Sequence, residues 1–215
     1  MNTYKCIGCG KCAQACKAEN HVPDGAAYNR TWIERYIIST AGKTYIDSPD
    51  AGIHGFPAIP DEVKRDNAQI AKSFFVPKLC NQCDKPPCVQ VCPVAASYRT
   101  GDGVVLIDQM RCIGCGYCVQ ACPYGARYIL PDTRTTPMGQ IHVADKCTWC
   151  YHRISNGSLP ACVEVCPVGA RVFGDLKDPQ SPVSKLLTAE RIDVLKPELG
   201  TKPKVFYAGL AMEVR

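Results

Sequence analysis

Cys112–Pro123 reads CIGCGYCVQACP, a C-x2-C-x2-C-x3-C-P run, and the rest of the 215-residue chain repeats it with variations. Cys6–Lys17 (CIGCGKCAQACK) keeps the spacing and ends in lysine instead of proline. Cys80–Pro93 lengthens the middle to C-x2-C-x4-C-x3-C-P, and Cys147–Pro167 lengthens it to C-x2-C-x11-C-x3-C-P. The sixteen cysteines form four tetrads with none left over: Cys6-Cys9-Cys12-Cys16, Cys80-Cys83-Cys88-Cys92, Cys112-Cys115-Cys118-Cys122 and Cys147-Cys150-Cys162-Cys166. In such a run the first three thiolates bind three corners of one iron–sulfur cubane. The fourth sits a turn later and reaches a different cluster. Four tetrads therefore predict four [4Fe–4S] clusters and a chain that carries electrons.

Other uses of cysteine fit poorly. A disulfide framework has no reason to repeat this spacing. A third ligand two residues after a C-x2-C pair crowds a tetrahedral zinc site, and zinc leaves the x3-C-P ending unexplained. Gly8, Gly10, Gly114 and Gly116 lie between cysteines, where the backbone curls tightly and turns its N–H groups toward an anion. Pro93, Pro123 and Pro167 fix φ just after the crossing cysteine. The hydrophobic fraction of 46% counts every cysteine, so the apolar core is smaller and the clusters take over part of its role.

The formal charge of +5 looks at first like a footprint for nucleic acid. Each oxidised cluster with four thiolates carries about −2, so four clusters turn the sum to about −3. The basic excess reads as compensation for buried cluster charge, and no nucleic-acid partner is expected. No apolar run approaches the ~20 residues that cross a bilayer, so no direct membrane span is expected. Phe74–Val76 and Val104–Ile107 are strand-sized. Cys6 follows the start almost at once, with Met1–Lys5 barely a strand, and an upstream segment with an export signal is an open expectation.

Gap lengths order the motifs. Cys92 and Cys112 are 20 positions apart, Cys122 and Cys147 are 25, and Cys16 and Cys80 are 64. Two motifs that exchange fourth cysteines need a short connection; pairing motifs three and four is possible but looser. The best solution puts motifs two and three in an inner unit, which motifs one and four enclose as an outer one. The expected fold is α+β: two nested dicluster modules of short strands and helices, an inserted segment and an extended C-terminal arm. The outer module takes residues 1–17 and 123–174, the insertion 18–79, the inner module 80–122 and the arm 175–215. Strand signals follow the C-P turns at Val104–Asp108, Arg127–Leu130 and Arg171–Phe173. Single-turn helices are expected between the third and fourth cysteines of each motif.

Within the insertion, Thr31–Thr40 and Lys43–Asp47 predict a hairpin around Ala41-Gly42, with Trp32, Tyr36 and Tyr45 available for packing. Asp61–Lys72 reads as a short helix capped by Asp61, and Pro182–Arg191 as another with Ser181 as N-cap and Pro182 at N1. Leu195–Tyr207, with Pro197 and Pro203, reads as an arm lying on a surface. Trp149 reads as a shield over a cluster, and the Lys17 ammonium either as a charge near one or as a solvent-exposed group. His21, His54, His142 and His152 read as surface or structural residues. The glycosylation patterns at Asn29 and Asn156 are discounted as chance matches. No phosphate loop or nucleophile constellation is present, so the chain is not expected to be an enzyme by itself.

The opening CIGCGKCAQACKAEN, the block CNQCDKPPCVQVCP and the block CTWCYHRISNG with PACVEVCP resemble one family over nearly the whole chain. It is that of the iron–sulfur electron-transfer subunits of the DMSO reductase superfamily, found in dimethyl sulfoxide, polysulfide and tetrathionate reductases. The resemblance implies bacterial dicluster ferredoxin modules, a large molybdopterin catalytic subunit on one side and a quinone-interacting membrane subunit on the other. It implies a peripheral subunit of a membrane-associated complex, with the extracytoplasmic side favoured. By motif, the first cluster takes Cys6, Cys9, Cys12 and Cys166, and the second Cys147, Cys150, Cys162 and Cys16. The third takes Cys80, Cys83, Cys88 and Cys122, and the fourth Cys112, Cys115, Cys118 and Cys92. By the same resemblance, the first faces the catalytic subunit and the fourth the membrane subunit. A free soluble polyferredoxin, or the iron–sulfur subunit of a formate dehydrogenase or hydrogenase complex, stays open as an alternative.

Overall fold

The computed structural model describes residues 1–136 and 139–214, the side chains of 132–141 excepted. Pro137, Met138 and Arg215, which fall within the predicted outer module and arm, lie outside the described residues. The architecture is α+β. Helix α1 (Lys11–Asn20) grows out of the first cysteine motif. The insertion then builds an antiparallel sheet of β1 (Thr31–Ser39), β2 (Thr44–Asp47) and β3 (Ile70–Leu79), in the order β2-β1-β3.

The expected hairpin is present, but α2 (Asp61–Arg65) is only half the predicted helix, and Pro60, not Asp61, caps it. Asn67 takes a left-handed conformation, and the Ala68 N–H reaches back to the Val63 carbonyl at 3.1 Å, a Schellman-type stop. Beyond it β3 pairs along β1 from Thr31 opposite Leu79 to Ser39 opposite Ile70. Ring pairs fix the sheet, with Tyr36 stacked on Phe74 at 5.3 Å. The sheet presses on the first motif: Phe75 lies under Gly8, and Gln14 Nε2 donates to the Ile53 carbonyl at 2.7 Å.

Short elements carry the other motifs. They are α3 (Pro87–Gln90), the hairpin β4 (Ser97–Arg99) and β5 (Val105–Ile107), and α4 (Tyr117–Gln120). A longer hairpin of β6 (Arg127–Thr136) and β7 (Gly139–Lys146) follows, then α5 (Tyr151–Ile154) and α6 (Ala161–Glu164). Helix α1 packs against α6, and α3 against α4. Arg171–Phe173 forms no strand; the neighbouring Ala170 carbonyl accepts from the Asn2 N–H at 2.7 Å.

Helix α7 (Pro182–Ala189) starts as predicted, with the Ser181 hydroxyl accepting from the Ser184 N–H, and ends two residues early. The arm departs from the prediction. Its β9 (Tyr207–Ala208) pairs with β8 (Ile192–Asp193), and Leu195, Val205, Tyr207 and Leu210 are core residues beside Tyr36, Val76 and Cys147. The Tyr207 hydroxyl donates to the Pro77 carbonyl at 3.1 Å. Its apolar side chains, spaced between the prolines, go inward because the small motif core leaves a wall open there.

Candidate metal centres

All sixteen cysteines are free thiols. Cys6, Cys9, Cys12 and Cys166 line one cavity, and Cys92, Cys112, Cys115 and Cys118 line another. Cys16, Cys147, Cys150 and Cys162 line part of a larger one. Asn20 Nδ2 bridges this last set, 3.6 Å from Cys16 Sγ and 3.7 Å from Cys150 Sγ. Cys80, Cys88 and Cys122 lie near enough to Cys83 to raise its thiol pKa. In three cavities the fourth cysteine of one motif lies with the first three of another.

Donor chemistry and burial fit an iron–sulfur group. Burial pushes the Cys16 thiol up to about 12 and Cys83 up to about 11, and raises Cys147 strongly, in each case with neighbouring thiols adding to the shift. Thiols so placed become anions only against a positive core. Among the described residues, no three cysteine, histidine or carboxylate side chains converge as a mononuclear site requires. Three of the sets line cavities instead. Backbone donors already point at sulfur: Ala96 N–H at Cys92 (3.2 Å), Ala170 N–H at Cys166 (3.3 Å), Trp149 N–H at Cys147 (3.3 Å) and Ala144 N–H at Cys112 (3.5 Å).

One backbone device recurs in all four motifs. The residue before the second cysteine has positive φ: Gly8 at 67°, Gln82 at 48°, Gly114 at 71° and Trp149 at 57°. Glycine is required where the neighbour is close, since a Cβ on Gly114 would meet the His142 carbonyl oxygen at 2.1 Å. Gln82 accepts the strain and uses its side chain. Its Nε2 donates to the Cys147 carbonyl at 2.8 Å, and its Oε1 accepts from the Val105 N–H at 2.7 Å. The fully buried amide thereby ties motif two to motif four. Sequence reasoning did not single out Gln82; its alignment with Gly8 and Gly114 in the C-x-x-C frame was the available signal.

Other predicted residues divide. Trp149 is half-buried in the core group of Cys147 and meets Phe173 edge-on at 5.4 Å, a position that suits a shield. Lys17 is not at a thiol: its ammonium donates to the carbonyls of Pro23, Gly25 and Tyr28 and ties down the loop after α1. His152 meets Glu19 at 2.6 Å, and the exposed His54 lies 3.5 Å from Asp50. Arg30, within the discounted glycosylation pattern, forms a two-pronged ion pair with Asp145 at 2.8 Å and also donates to Asn20 Oδ1. Three buried cations, Arg127, Lys146 and Arg171, were missed as site residues. The signal for the two arginines was the repeat itself, CPYGAR at Cys122–Arg127 against CPVGAR at Cys166–Arg171; nothing comparable marked Lys146.

Two family models, each described as a 4Fe-4S dicluster domain, match residues 5–96 and 71–176. With sixteen cysteines in four sets, they define a ferredoxin-type protein of two dicluster domains that carries four [4Fe–4S] clusters. A tetrathionate reductase subunit of Salmonella typhimurium is 45% identical over 212 residues, 98% of this chain and 71% of the relative. The tetrathionate reductase subunit of Archaeoglobus fulgidus is 44% identical, over 98% of this chain and 80% of its own. A polysulfide reductase subunit of Wolinella succinogenes is 37% identical, over 94% and 87% respectively. The protein belongs to the iron–sulfur (beta) subunits of the DMSO reductase superfamily; it is an electron-transfer subunit of a multisubunit oxidoreductase and not catalytic by itself. Among the described residues, no helix is long and apolar enough to cross a membrane.

Proposed function

We propose that this chain relays electrons from one partner to another, docking as a peripheral subunit, with a molybdopterin catalytic subunit at one end and a quinone-reactive membrane subunit at the other. When bound, each cluster supplies a one-electron carrier. The sets that would hold them are Cys6, Cys9, Cys12 and Cys166; Cys147, Cys150, Cys162 and Cys16; Cys80, Cys83, Cys88 and Cys122; and Cys112, Cys115, Cys118 and Cys92.

The observation that carries the reading is the succession of these sets. Cys12 and Cys162 share one core group, Cys147 and Cys80 a second, and Cys88, Cys112 and Cys118 a third, so each set adjoins the next. The two middle sets are buried apart from half-buried Cys122, whereas Cys115 is exposed and Cys6, Cys9 and Cys166 are half-exposed. Large exposed apolar residues flank the end sets in sequence, Tyr4 and Ile7 at one and Met110 and Tyr117 at the other. Insulated middle and accessible, apolar ends suit a protein contacted by a partner at each end.

The test is Cys115→Ser in the assembled complex. Quinone-coupled turnover should fall at least tenfold, while dye-coupled turnover of the catalytic subunit stays within about twofold, with assembly checked on a native gel. Equal loss of both activities in an intact complex contradicts the order.

A further inference from the structure

Each junction between adjoining cysteine sets holds a buried cation. Arg171 (3% exposed) lines the cavity of Cys6, Cys9, Cys12 and Cys166 and also faces Cys162 of the next set. Lys146 (0% exposed) donates to the Cys147 carbonyl and lies near Cys80 and Cys88 of the next set. Arg127 (4% exposed) donates from Nη2 to Cys88 Sγ at 3.0 Å and faces Cys118 beyond it.

Among the described residues none of the three has a carboxylate partner within ion-pair distance. Lys146 donates to the carbonyls of Val105 and Cys147, and among the described residues Arg171 Nη1 has no oxygen or nitrogen hydrogen-bond partner. Arg127 and Lys146 stand directly opposite each other across the β6–β7 ladder, a like-charge pairing that a sheet avoids. Buried charge without a counter-ion is among the most costly arrangements in a fold. Three such cations, each against thiols of two sets, make sense where anions are to be bound on both sides.

The two arginines are built alike. Each is the fifth residue after a crossing cysteine, and each is held by a hydroxyl on a strand following another motif. Arg127 Nη1 donates to Ser97 Oγ at 2.9 Å, and Arg171 Nη2 to Thr31 Oγ1 at 2.8 Å. A duplicated anchor holds the guanidinium in place and keeps its charge.

We propose that Arg171, Lys146 and Arg127 are positioning cations, one per junction, each raising the reduction potentials of the two clusters it separates. Reduction makes a cluster more negative, so a fixed cation beside it favours the reduced form. The inference rests on the four-cluster reading, and iron analysis of the wild-type complex tests that reading separately.

The experiment is an EPR-monitored redox titration of the whole complex carrying Arg127→Gln, Arg171→Gln or Lys146→Met, against Arg127→Lys, Arg171→Lys and Lys146→Arg. At the wild-type midpoints, removing Arg127 should lower the reduced-to-oxidised ratio of two clusters at least tenfold, a 59 mV shift for one electron. Removing Arg171 should do the same to the other two. Removing Lys146 should move one cluster from each pair, and the charge-keeping variants should stay within threefold of wild type. Ser97→Asp and Thr31→Asp put a carboxylate beside each arginine without deleting it and should shift the same pairs, which carries the test if a Gln variant loses a cluster. With four clusters retained, potentials unmoved by every neutralising change, a uniform shift of all four, or equal shifts in Lys and Gln variants would overturn the proposal.

Discussion

Gly114 and Gly116 lie two residues apart, both left-handed at φ 71° and 77°, and differ in what surrounds them. A Cβ on Gly116 meets nothing within 4 Å, while on Gly114 it strikes the β7 backbone at His142. Gly116→Ala therefore costs only the left-handed strain, about 1–2 kcal/mol, and should keep full iron content. Gly114→Ala pushes β7 off the third motif and should lose about one cluster equivalent of iron, measured per chain after purification. Equal iron in the two variants would mean that the close approach is unimportant. The sequence made Gly114 legible because glycine stands between cysteines. It hid Gln82 and Trp149, which adopt the same backbone without being glycine. Lys17 stayed open because adjacency to Cys16 says nothing about where a four-carbon stem ends, and three loop carbonyls offered its ammonium a better site than a thiol.

Among the elements, the C-terminal segment carries the clearest test. Tyr207 is fully buried, and its hydroxyl serves the Pro77 carbonyl. Tyr207→Ala should cost about 3–5 kcal/mol through the cavity it leaves. Tyr207→Phe should cost only about 1–2 kcal/mol, because it leaves one acceptor unpaired. Both are read as shifts in the denaturant midpoint of the iron-loaded protein under anaerobic conditions. An arm lying on the surface would make both changes nearly silent. A second test is Asp145→Asn on β7, which leaves the Arg30 guanidinium only partly paired and nearly buried, with side-chain exposures of 13% for Arg30 and 6% for Asp145. Removing one partner of such a pair should cost about 3–5 kcal/mol in the same assay.

Short-range signals made some elements readable: Ala41-Gly42 turned the β1–β2 hairpin, and Ser181-Pro182 began α7. The failures came from tertiary choices. Ile70–Leu79 became a strand because β1 offered an edge, and the tail went inward because Tyr36, Val76 and Cys147 lacked cover. The β6–β7 hairpin was missed beyond Leu130, although Ile141 and Val143 alternate with polar residues.

At the scale of the whole molecule, much of the interior consists of thiols and cations whose burial makes sense only around anionic clusters. Removing iron with a chelator should therefore leave thiols protonated and Arg127, Lys146 and Arg171 without counter-charge, and the chain should unfold. Circular dichroism during anaerobic chelation should lose its native signal in step with iron release. A native signal that persists after the iron is gone would show that the polypeptide core suffices. The four tetrads were legible from spacing alone, and gap lengths led to the nested pairing; the repeat marked Arg127 and Arg171 without showing their burial, and nothing in the sequence marked Lys146.

The central claim is a line of four clusters in which motifs one and four share ligands across the length of the chain. Anomalous diffraction at the iron edge from crystals of the intact complex tests it most directly. The account predicts four separate four-iron peaks in this subunit, with Cys16 bound to the same peak as Cys147, Cys150 and Cys162. Fewer peaks, or Cys16 on the peak of Cys80 or Cys112, would contradict it.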